Sequence, residues 1–308
     1  MSENYFDSII IGGGAAGLTA GIYLARGKAT VLILDTGTIG GQMILTHQIA
    51  NYPGVEEISG YQLSSTMRKQ AASFGCEIKS NVKIQNLLFK DDLNEVTLNN
   101  GSKFTAKTII IATGGRSRML KVPGETKFKG RGISYCATCD GDFFQDKEII
   151  VVGGGNSAME EAVSLTKYAS KVTILHEFDH FQAFEHAVEE AKANPKIDFI
   201  MESHITEFIG DEKLEAVKYE NLKTHEIKTK NIDGVFIFIG YEPNTEMLAD
   251  TGIEMTKWNE VVTNEMMETN IKGVYAAGDL RQKRVRQVTT AVADGTIAAV
   301  DALNIIHK

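Results

Sequence analysis

Apolar residues along this chain occur in short continuous runs that alternate with segments of helical periodicity. The segment IIIGGGAAGLTAGIYLARGKATVLILD (9–35) has the pattern of a buried strand, a glycine turn, an amphipathic helix and a second buried strand. The segment IVVGGGNSAMEEAVSLTKYASKVTILHE (150–177) aligns with it without a gap, and its glycines and apolar runs coincide. Because a strand, a crossover helix and a parallel strand form a βαβ unit, the chain contains the same unit twice. The pattern predicts an α/β fold with two Rossmann-like dinucleotide-binding domains of the three-layer ββα type, the second inserted into the first.

Two further buried strands end in glycines and mark the predicted domain boundaries. They are KTIIIATGG (107–115) and IDGVFIFIGYEPNT (232–245). The later stretch GVYAAGDL (273–280) predicts a strand, and the helical pattern after it is expected to rejoin the first domain. We therefore expect one domain to comprise residues 1–115 and 246–308, and the inserted domain to comprise residues 116–245.

Each βαβ unit has glycines at its strand-to-helix turn. The first copy has G-x-G-x-x-G at Gly12, Gly14 and Gly17, and the second has G-x-G-x-x-A at Gly153, Gly155 and Ala158. Such a turn brings the backbone close to a pyrophosphate, which then lies at the helix N-terminus. Asp35 ends the second strand of the first copy, where a carboxylate accepts hydrogen bonds from a ribose diol. A tight turn without a ligand also accounts for the pattern, above all in the second copy.

Charge and hydropathy exclude several classes of function. A net charge of −8 disfavours sequence-independent nucleic-acid binding, which requires a cationic surface. The basic stretch RQKRVRQ (281–287) is expected to be a solvated loop or a contact to a cofactor phosphate. The N-terminus lacks the pattern of a signal peptide, and no long uninterrupted apolar run predicts a membrane span. We expect a cytoplasmic protein that binds neither nucleic acid nor membrane.

The stretch SYCATCDGDFF (134–144) contains a C-x-x-C pair, Cys136 and Cys139. A structural zinc site needs four ligands, and one such pair supplies two, so no metal is expected. In a C-x-x-C pair, one thiol can attack an external disulfide and the other can resolve the mixed disulfide. This exchange needs a nearby proton donor, and Asp140 directly follows Cys139; a turn residue in CDGD is the alternative interpretation of Asp140. The isolated Cys76 is expected to be a small buried apolar residue.

Several motifs in one order give the chain a specific resemblance. They are GGGAAG near the start, GGQ (40–42), NYPG (51–54), ATGG, CATCDG, GGGNSAMEEA, AAGD and RQ. The chain resembles the bacterial-type, low-molecular-weight thioredoxin reductases over essentially its whole length. The resemblance implies FAD in the first domain, redox cysteines on the inserted domain, a homodimer, thioredoxin as the partner and a large domain rotation during turnover.

The resemblance also assigns roles to individual residues. Those implied to bind FAD are Gly12, Gly14, Gly17, Asp35, Gly41, Gln42, Asn51, Gly278, Asp279, Arg286 and Gln287. Cys139 is implied to face the flavin, Cys136 to attack thioredoxin, and Asp140 to act as the acid. His47 stands where many relatives have threonine, and it receives no role.

The second dinucleotide fold departs from the family at its phosphate site. Relatives have H-R-R-x-x-x-R after the strand, whereas this chain has HEFDHFQ, with Glu177, Phe178 and Gln182 at the three arginine positions. Strong NADPH preference is therefore not expected unless Lys167 or Lys171 replaces the arginines. Glu177 could instead bind the ribose of NADH, but the internal repeat aligns His176 with Asp35.

The donor that we expect first is reduced ferredoxin, as in relatives without the arginine motif, with NADH second and NADPH third. Three other functions stay open on the sequence: a dithiol oxidase, a reductase of another small disulfide carrier, and a flavin-based redox sensor.

Overall fold

The computed structural model describes residues 4–46, 49–90 and 93–308. The chain forms two compact units, Met1–Arg116 with Glu242–Lys308, and Ser117–Tyr241. The sequence pattern predicts the first crossing between residues 115 and 116 and the return between residues 245 and 246. In the structure the chain changes unit within strand β7 (Gly115–Ser117) and again within strand β16 (Tyr241–Pro243).

The helices and strands of the described residues run in chain order through both units. Up to the first crossing they are β1 Tyr5–Ile11, α1 Ala15–Arg26, β2 Val31–Leu34, α2 Gly60–Ser73, β3 Glu77–Lys79, β4 Ile84–Leu88, β5 Asn94–Leu98, β6 Lys103–Ile111 and β7 Gly115–Ser117. The inserted stretch has α3 Glu125–Phe128, β8 Ile133–Ser134, α4 Ala137–Asp140, β9 Glu148–Val152, α5 Asn156–Leu165, β10 Lys171–Leu175, α6 Glu185–Ala193, β11 Ile197–Ile200, β12 Ser203–Gly210, β13 Leu214–Asn221, β14 Ile227–Asn231, β15 Gly234–Ile237 and β16 Tyr241–Pro243. The last elements are β17 Val274–Ala276 and α7 Val288–Ile306. Short 3-10 helices span Gly41–Leu45, Gly141–Phe144 and Glu246–Leu248.

The first unit is built on a mixed sheet of order β3-β2-β1-β6-β5-β4. Its strands β3, β2, β1 and β6 run parallel, and helices α1 and α2 form the crossovers from β1 to β2 and from β2 to β3. The long β6 pairs antiparallel with β5 through its first half and parallel with β17 through its second half. Apolar side chains on both faces of β1 and β6 are buried, as the continuous apolar runs of these strands predict.

Helices α1 and α7 pack against each other on one face of this sheet. By length and composition alone, α7 could cross a membrane, with 19 residues and a mean hydropathy of 1.2. However, Ala298, Ala299 and Ala302 on α7 are buried in the same apolar core as Leu18 of α1. This core packing accounts for its apolar composition without a membrane.

The second unit repeats the same βαβ arrangement. Its main sheet is parallel, with the order β11-β10-β9-β15-β8. A separate antiparallel sheet, β12-β13-β14, packs on it through a shared apolar core that includes Phe208, Val217 and Val235. The predicted α/β class and the internal repeat are both confirmed.

Candidate active site

The first glycine turn, between β1 and α1, brings the backbone into close contact with the sheet. Gly12 has a φ of +111°, and a Cβ atom there would lie 2.2 Å from the carbonyl oxygen of Ala112. A Cβ on Gly17 would lie 1.9 Å from the carbonyl oxygen of Gly12, so only glycine lets the helix pack this closely. Around Gly14 the space is open, and the heavy atom nearest to a Cβ there is the Cα of Gly41 at 3.9 Å.

Asp35 lies directly after β2 and faces this turn. Its carboxylate accepts hydrogen bonds from the backbone N–H of Gly13 at 2.6 Å and of Gly37 at 2.7 Å. The carbonyl of Gly13 accepts a hydrogen bond from the N–H of Gly40 at 2.8 Å. This bond brings the 3-10 helix Gly41–Leu45, with the predicted residues Gly41 and Gln42, beside the glycine turn.

A buried ionic cluster surrounds the end of β17. Asp294 of α7 accepts hydrogen bonds from the backbone N–H of Gly278 at 3.0 Å and from Lys283 Nζ at 2.8 Å. Arg281 Nη1 lies 3.4 Å from the other oxygen of the same carboxylate. The neighbouring Asp279 Oδ1 is buried without a hydrogen-bond partner among the described residues, and burial raises the pKa of this carboxyl.

The basic stretch 281–287, expected to be a solvated loop or a contact to a cofactor phosphate, is a solvated loop only in part, since Gln282, Arg284 and Val285 are exposed. The Lys283 side chain is only 8% exposed, because it is paired with the buried Asp294. Arg286 forms an ion pair with Glu260, and its Nε lies 3.4 Å from the carbonyl oxygen of Asp279. Carboxylates hold Arg281, Lys283 and Arg286, a feature that spacing along the sequence did not reveal.

Asn51 and Gln287, which are far apart in sequence, meet in this region. Asn51 Nδ2 donates to Gln287 Oε1 at 3.2 Å, and Gln287 caps the N-terminus of α7. His47 lies outside the described residues, so the structure adds nothing to its open assignment.

Three features of the first unit fit the pyrophosphate and ribityl chain of FAD. The first turn of α1 has no side-chain cap, so its N–H groups are available to a pyrophosphate. The open space at Gly14 admits the approach of a phosphate, which a side chain would fill. Asp279 Oδ1 has Lys283 Nζ at 4.0 Å but accepts no hydrogen bond from the described residues, so it is an acceptor suited to a ribityl hydroxyl. These residues would hold the cofactor's pyrophosphate and ribityl chain.

The second glycine turn, between β9 and α5, has the same backbone path but different surroundings. Gly153 has a φ of +139°, and α5 begins without a side-chain cap, as α1 does. The imidazole of His176 is buried, and its ring atoms lie 2.3 Å from where a Cβ on Gly154 would be. His176 follows β10 as Asp35 follows β2, so a histidine ring occupies the position of the ribose carboxylate. Burial lowers the pKa of this imidazole, which favours its neutral form.

Anionic and aromatic side chains form the loop after His176. Glu177, Phe178, Asp179 and His180 are all exposed, and Phe178 is 44% exposed. His180 Nδ1 lies 2.7 Å from Asp179 Oδ1, so the local histidine is already paired with a carboxylate. The backbone N–H of Gln182 donates to the carbonyl of Gly154 at 2.8 Å, which holds the loop against the glycine turn.

Neither lysine considered as a substitute for the arginines lies beside this loop. Lys171 begins β10, at the end of the strand opposite to Glu177, and its Nζ pairs with Asp198 at 2.6 Å. Lys167 follows the C-terminal end of α5, whereas the glycine turn is at its N-terminal end. Both lysines are therefore at the wrong end of their elements for a phosphate clamp.

The two cysteines form a disulfide at the start of α4. Cys136 and Cys139 have Cα atoms 5.3 Å apart, and Cys136 is the N-cap residue of the helix. The backbone N–H of Cys139 donates to Cys136 Sγ at 3.2 Å. A donor at this distance stabilises negative charge on that sulfur once the disulfide opens.

Asp140 is the last residue of α4 and lies against a buried serine. Ser134 Oγ donates to Asp140 Oδ2 at 2.6 Å, and the backbone N–H of Cys136 donates to the same hydroxyl at 3.1 Å. Burial raises the pKa of the Asp140 carboxyl, while the hydrogen bond from Ser134 acts in the opposite direction. An elevated pKa suits a group that exchanges protons near neutral pH.

The segment leading into Cys136 is fixed by a second buried carboxylate. Glu125 accepts from the hydroxyl of Tyr135 at 2.8 Å and from the backbone N–H groups of Leu120 and Lys121. Sequence reasoning missed Glu125, Ser134 and Asp294. For Asp294, an acid within the apolar pattern of α7 was a usable signal, whereas the other two gave none.

No cluster of three or more potential metal ligands occurs within residues 4–46, 49–90 and 93–308. Cys76, a free cysteine of this part of the chain, is buried in the first unit as expected. The second unit thus has a disulfide with a neighbouring acid, and the first unit has a dinucleotide cradle.

Comparison with known proteins identifies this combination. The family model described as pyridine nucleotide-disulphide oxidoreductase matches residues 6–295. A thioredoxin reductase from Peptoclostridium acidaminophilum is 42% identical over 310 residues, which cover 97% of this chain and 96% of the relative. A 34.2 kDa protein in the rubredoxin operon of Clostridium pasteurianum is 44% identical over 300 residues, with 97% of each chain covered.

The solved structures agree with the sequence relatives. The crystal structure of thioredoxin reductase from Streptococcus pyogenes MGAS5005 matches with a TM-score of 0.95 at 41% identity, and the match covers 99% of each chain. The resemblance that the motifs indicated is confirmed. The chain belongs to the pyridine nucleotide-disulphide oxidoreductase family, as an FAD-dependent, low-molecular-weight thioredoxin reductase.

Proposed function

We propose that this enzyme reduces thioredoxin with electrons from a one-electron carrier protein, with reduced ferredoxin as the first candidate, and not with electrons from NADPH. The observation behind the proposal is the loop after β10, where Glu177, Phe178 and Gln182 replace a cationic phosphate clamp. The exposed carboxylates of Glu177 and Asp179 repel a 2′-phosphate.

The number of missing arginine contacts to the 2′-phosphate determines how much NADPH affinity is lost. Each charge-assisted hydrogen bond to a phosphate contributes roughly 1.5–3 kcal/mol. The loss of two or three such bonds therefore weakens NADPH binding about a hundredfold or more. The two candidate lysines do not compensate, since Lys171 is paired with Asp198 and Lys167 lies at the far end of α5.

A one-electron donor is compatible with the chemistry of a flavin. A flavin accepts electrons singly or in pairs, which is the chemistry that FAD supplies when bound in the first unit. A hydride donor is therefore dispensable for the disulfide chemistry.

The proposed thiol chemistry uses Cys136, Cys139 and Asp140. Two electrons and two protons convert the Cys136–Cys139 disulfide into a dithiol, and Asp140 donates a proton to the sulfur that leaves. The Cys136 thiolate, stabilised by the N–H of Cys139, then attacks the thioredoxin disulfide and forms a mixed disulfide. Cys139 attacks Cys136 Sγ, which restores the Cys136–Cys139 disulfide and releases thioredoxin as a dithiol. Asp140 takes back the proton from the attacking Cys139 thiol, and the thioredoxin sulfur that leaves takes its proton from solvent, so electrons and protons balance over the cycle.

The assembly and location belong to the same proposal. A homodimer is the arrangement that the family resemblance implies. A cytoplasmic location suits the proposal, because a compartment that keeps thiols reduced requires reduced thioredoxin.

NADH is the second candidate donor, on the strength of one observation. The turn at Gly153–Gly155 and the uncapped N-terminus of α5 keep the features that hold a pyrophosphate. Against it, the neutral ring of His176 replaces the carboxylate that would bind the ribose diol, and Glu177 is one residue further along.

The test is thioredoxin reduction by the FAD-loaded enzyme with each donor in turn. We expect turnover with chemically reduced ferredoxin, and none above background with micromolar NADPH or NADH. The Cys136→Ser variant is the control for electron flow that bypasses the disulfide. Turnover with micromolar NADPH at the rate seen with ferredoxin would refute the proposal.

A further inference from the structure

Ser134 has more hydrogen-bonding contacts at the redox pair than a structural serine requires. Its hydroxyl is 2.6 Å from Asp140 Oδ2, 3.1 Å from the backbone nitrogen of Cys136 and 3.3 Å from the carbonyl oxygen of Cys136. The residue is only 4% exposed, and it lies in β8, which pairs with Phe236 of β15. A strand therefore holds this hydroxyl at a fixed place beside the Asp140 carboxyl.

A hydroxyl can donate one hydrogen bond through its hydrogen and accept two through its lone pairs. These three bonding positions are enough to serve the contacts of Ser134 whether Asp140 is ionised or protonated. One lone pair accepts the N–H of Cys136 in either state. When Asp140 is ionised, Ser134 donates its hydrogen to Oδ2. When Asp140 is protonated, the carboxyl O–H donates to the second lone pair of Ser134. The Ser134 hydrogen then turns to the carbonyl of Cys136.

We infer that Ser134 is a positioning residue for the thiol exchange, because its hydroxyl holds the Asp140 carboxyl beside the Cys136 backbone in both protonation states without movement of heavy atoms. The inference rests on the proposed function, in which Asp140 exchanges protons with the cysteine pair. Such an arrangement lets the proton come and go with little reorganisation of the site.

The surroundings of Asp140 leave Ser134 as its polar partner. The titratable side chains on neighbouring elements include Tyr135, Asp142, and Glu160 and Glu161 of the adjoining helix α5. Tyr135 bonds to Glu125 and Asp142 to Gln145. Among the described residues, the causes of the shift in the Asp140 pKa are burial and the hydrogen bond from Ser134 alone.

Removal of the Ser134 hydroxyl is therefore expected to shift the pKa of Asp140 in one defined direction. Ser134 bonds to both forms of the carboxyl, but its bond to the ionised form is charge-assisted and stronger, so loss of the hydroxyl raises the pKa of Asp140 further. The difference between a charge-assisted and a neutral hydrogen bond corresponds to about one pH unit. In the proposed mechanism, the rate at which the dithiol enzyme reduces thioredoxin rises with pH as Asp140 ionises. We expect Ser134→Ala to move this rising limb upward by about one pH unit.

The experiment compares pH profiles of thioredoxin reduction in single turnovers of the pre-reduced enzyme. Ser134→Thr keeps a hydroxyl and Ser134→Val is nearly isosteric with threonine but has no hydroxyl, so only the valine variant of this pair is expected to shift the profile. Ser203→Ala is the matched control, because Ser203 is also a buried serine of the second unit and bonds to the carbonyl of Met201. It is expected to leave the profile unchanged.

The Asp140→Asn background separates the inference from the proposed function. If Ser134 acts through Asp140, Ser134→Val has no further effect on the pH profile or rate of Asp140→Asn. An equal loss of rate in both backgrounds, or an unshifted limb in Ser134→Val, would overturn the inference while the role of Asp140 stands. Full activity of Asp140→Asn would instead remove the proposed role of the carboxyl, and the inference with it.

Discussion

Local environment separates the cysteines of this protein into two kinds. Burial raises the pKa of the Cys76 thiol to about 11, and its Sγ donates to the carbonyl of Gly21 at 3.2 Å. Cys136 and Cys139 are partly exposed, and a backbone N–H is directed at Cys136 Sγ. Because the thiolate is the reactive form, reactivity belongs to the pair and not to Cys76.

We expect Cys136→Ser and Cys139→Ser each to abolish thioredoxin reduction, by about a thousandfold or more, while FAD stays bound. A single thiol can neither complete the exchange nor re-form the disulfide. The Cys76→Ala variant is the control and is expected to keep its activity. Absorbance at long wavelength identifies the roles, because a remaining Cys139 thiolate beside oxidised flavin gives a charge-transfer band. A band in Cys139→Ser alone would reverse the assignment of the two cysteines.

The Asp140 carboxyl also makes a prediction about stability. Its pKa is higher in the folded protein than in the unfolded chain, because burial favours the protonated form. Between those two pKa values the folded protein binds more protons, so the contribution of Asp140 to stability is lost as pH rises. Asp140→Asn, which does not titrate, should therefore gain thermal stability relative to the wild type as pH increases through this window. A stability difference that is constant from about pH 4 to about pH 8 would contradict the raised pKa.

At the level of elements, the two strand–turn–helix units differ in the residue placed after their second strand. After β2 the carboxylate of Asp35 binds the backbone of the glycine turn. After β10 the buried ring of His176 packs on the equivalent glycine, Gly154. The first unit thus keeps a carboxylate suited to a ribose, and the second presents an aromatic ring and an anionic loop.

Purified protein should be yellow and hold about one FAD per chain, and Asp35→Ala should weaken FAD binding about ten- to a hundredfold. The reason is that the variant loses a charged acceptor and frees the N–H groups of Gly13 and Gly37. Asp7→Ala is the control, since Asp7 also accepts a backbone N–H, from Thr30 at 2.8 Å. Equilibrium dialysis measures both affinities. Equal FAD affinity in Asp35→Ala and the wild type would remove the role assigned to Asp35.

The loop after β10 allows a gain-of-function test. A variant with Glu177→Arg, Phe178→Arg and Gln182→Arg restores the cationic pattern of the family on a turn whose backbone is unchanged. We expect NADPH to bind it about a hundredfold more tightly than the wild type, whereas NADH affinity changes little. Matched substitutions to glutamine at positions 177 and 178 control for the loss of the native side chains. If the arginine and glutamine variants bind NADPH equally, the motif does not set the preference.

Sequence periodicity was sufficient to predict the helices and strands, but it did not predict the polar contacts between them. The glycine spacing and apolar runs predicted both βαβ units, and the alignment of the two units identified His176 as the counterpart of Asp35. The ion pairs of Lys283 with Asp294 and of Arg286 with Glu260 join residues far apart in sequence. No local pattern encodes such pairs, so the sequence alone predicts only a solvated loop or a contact to a cofactor phosphate for the basic stretch.

At the scale of the whole molecule, the internal repeat explains how the nucleotide loop of the second unit can differ from the family while the FAD cradle of the first unit is retained. Each unit has its own sheet and its own apolar cores, so substitutions in one loop of the second unit leave the first cradle intact. The cradle in the first unit keeps the features that fit FAD, and the dithiol pair is complete. The HEFDHFQ segment, which differs from the family at its phosphate site, bears on the proposed source of the electrons.

The source of the electrons is tested most directly by an anaerobic titration of the oxidised, FAD-loaded enzyme, monitored through the visible absorbance of the flavin. Reduced ferredoxin should bleach the flavin in both proteins, after about two electrons per FAD in Cys139→Ser and about four in the wild type, whose Cys136–Cys139 disulfide takes up the other two. NADPH and NADH at micromolar concentrations should leave the spectrum unchanged over the same time. Rapid bleaching by micromolar NADPH, with no response to ferredoxin, would contradict the account.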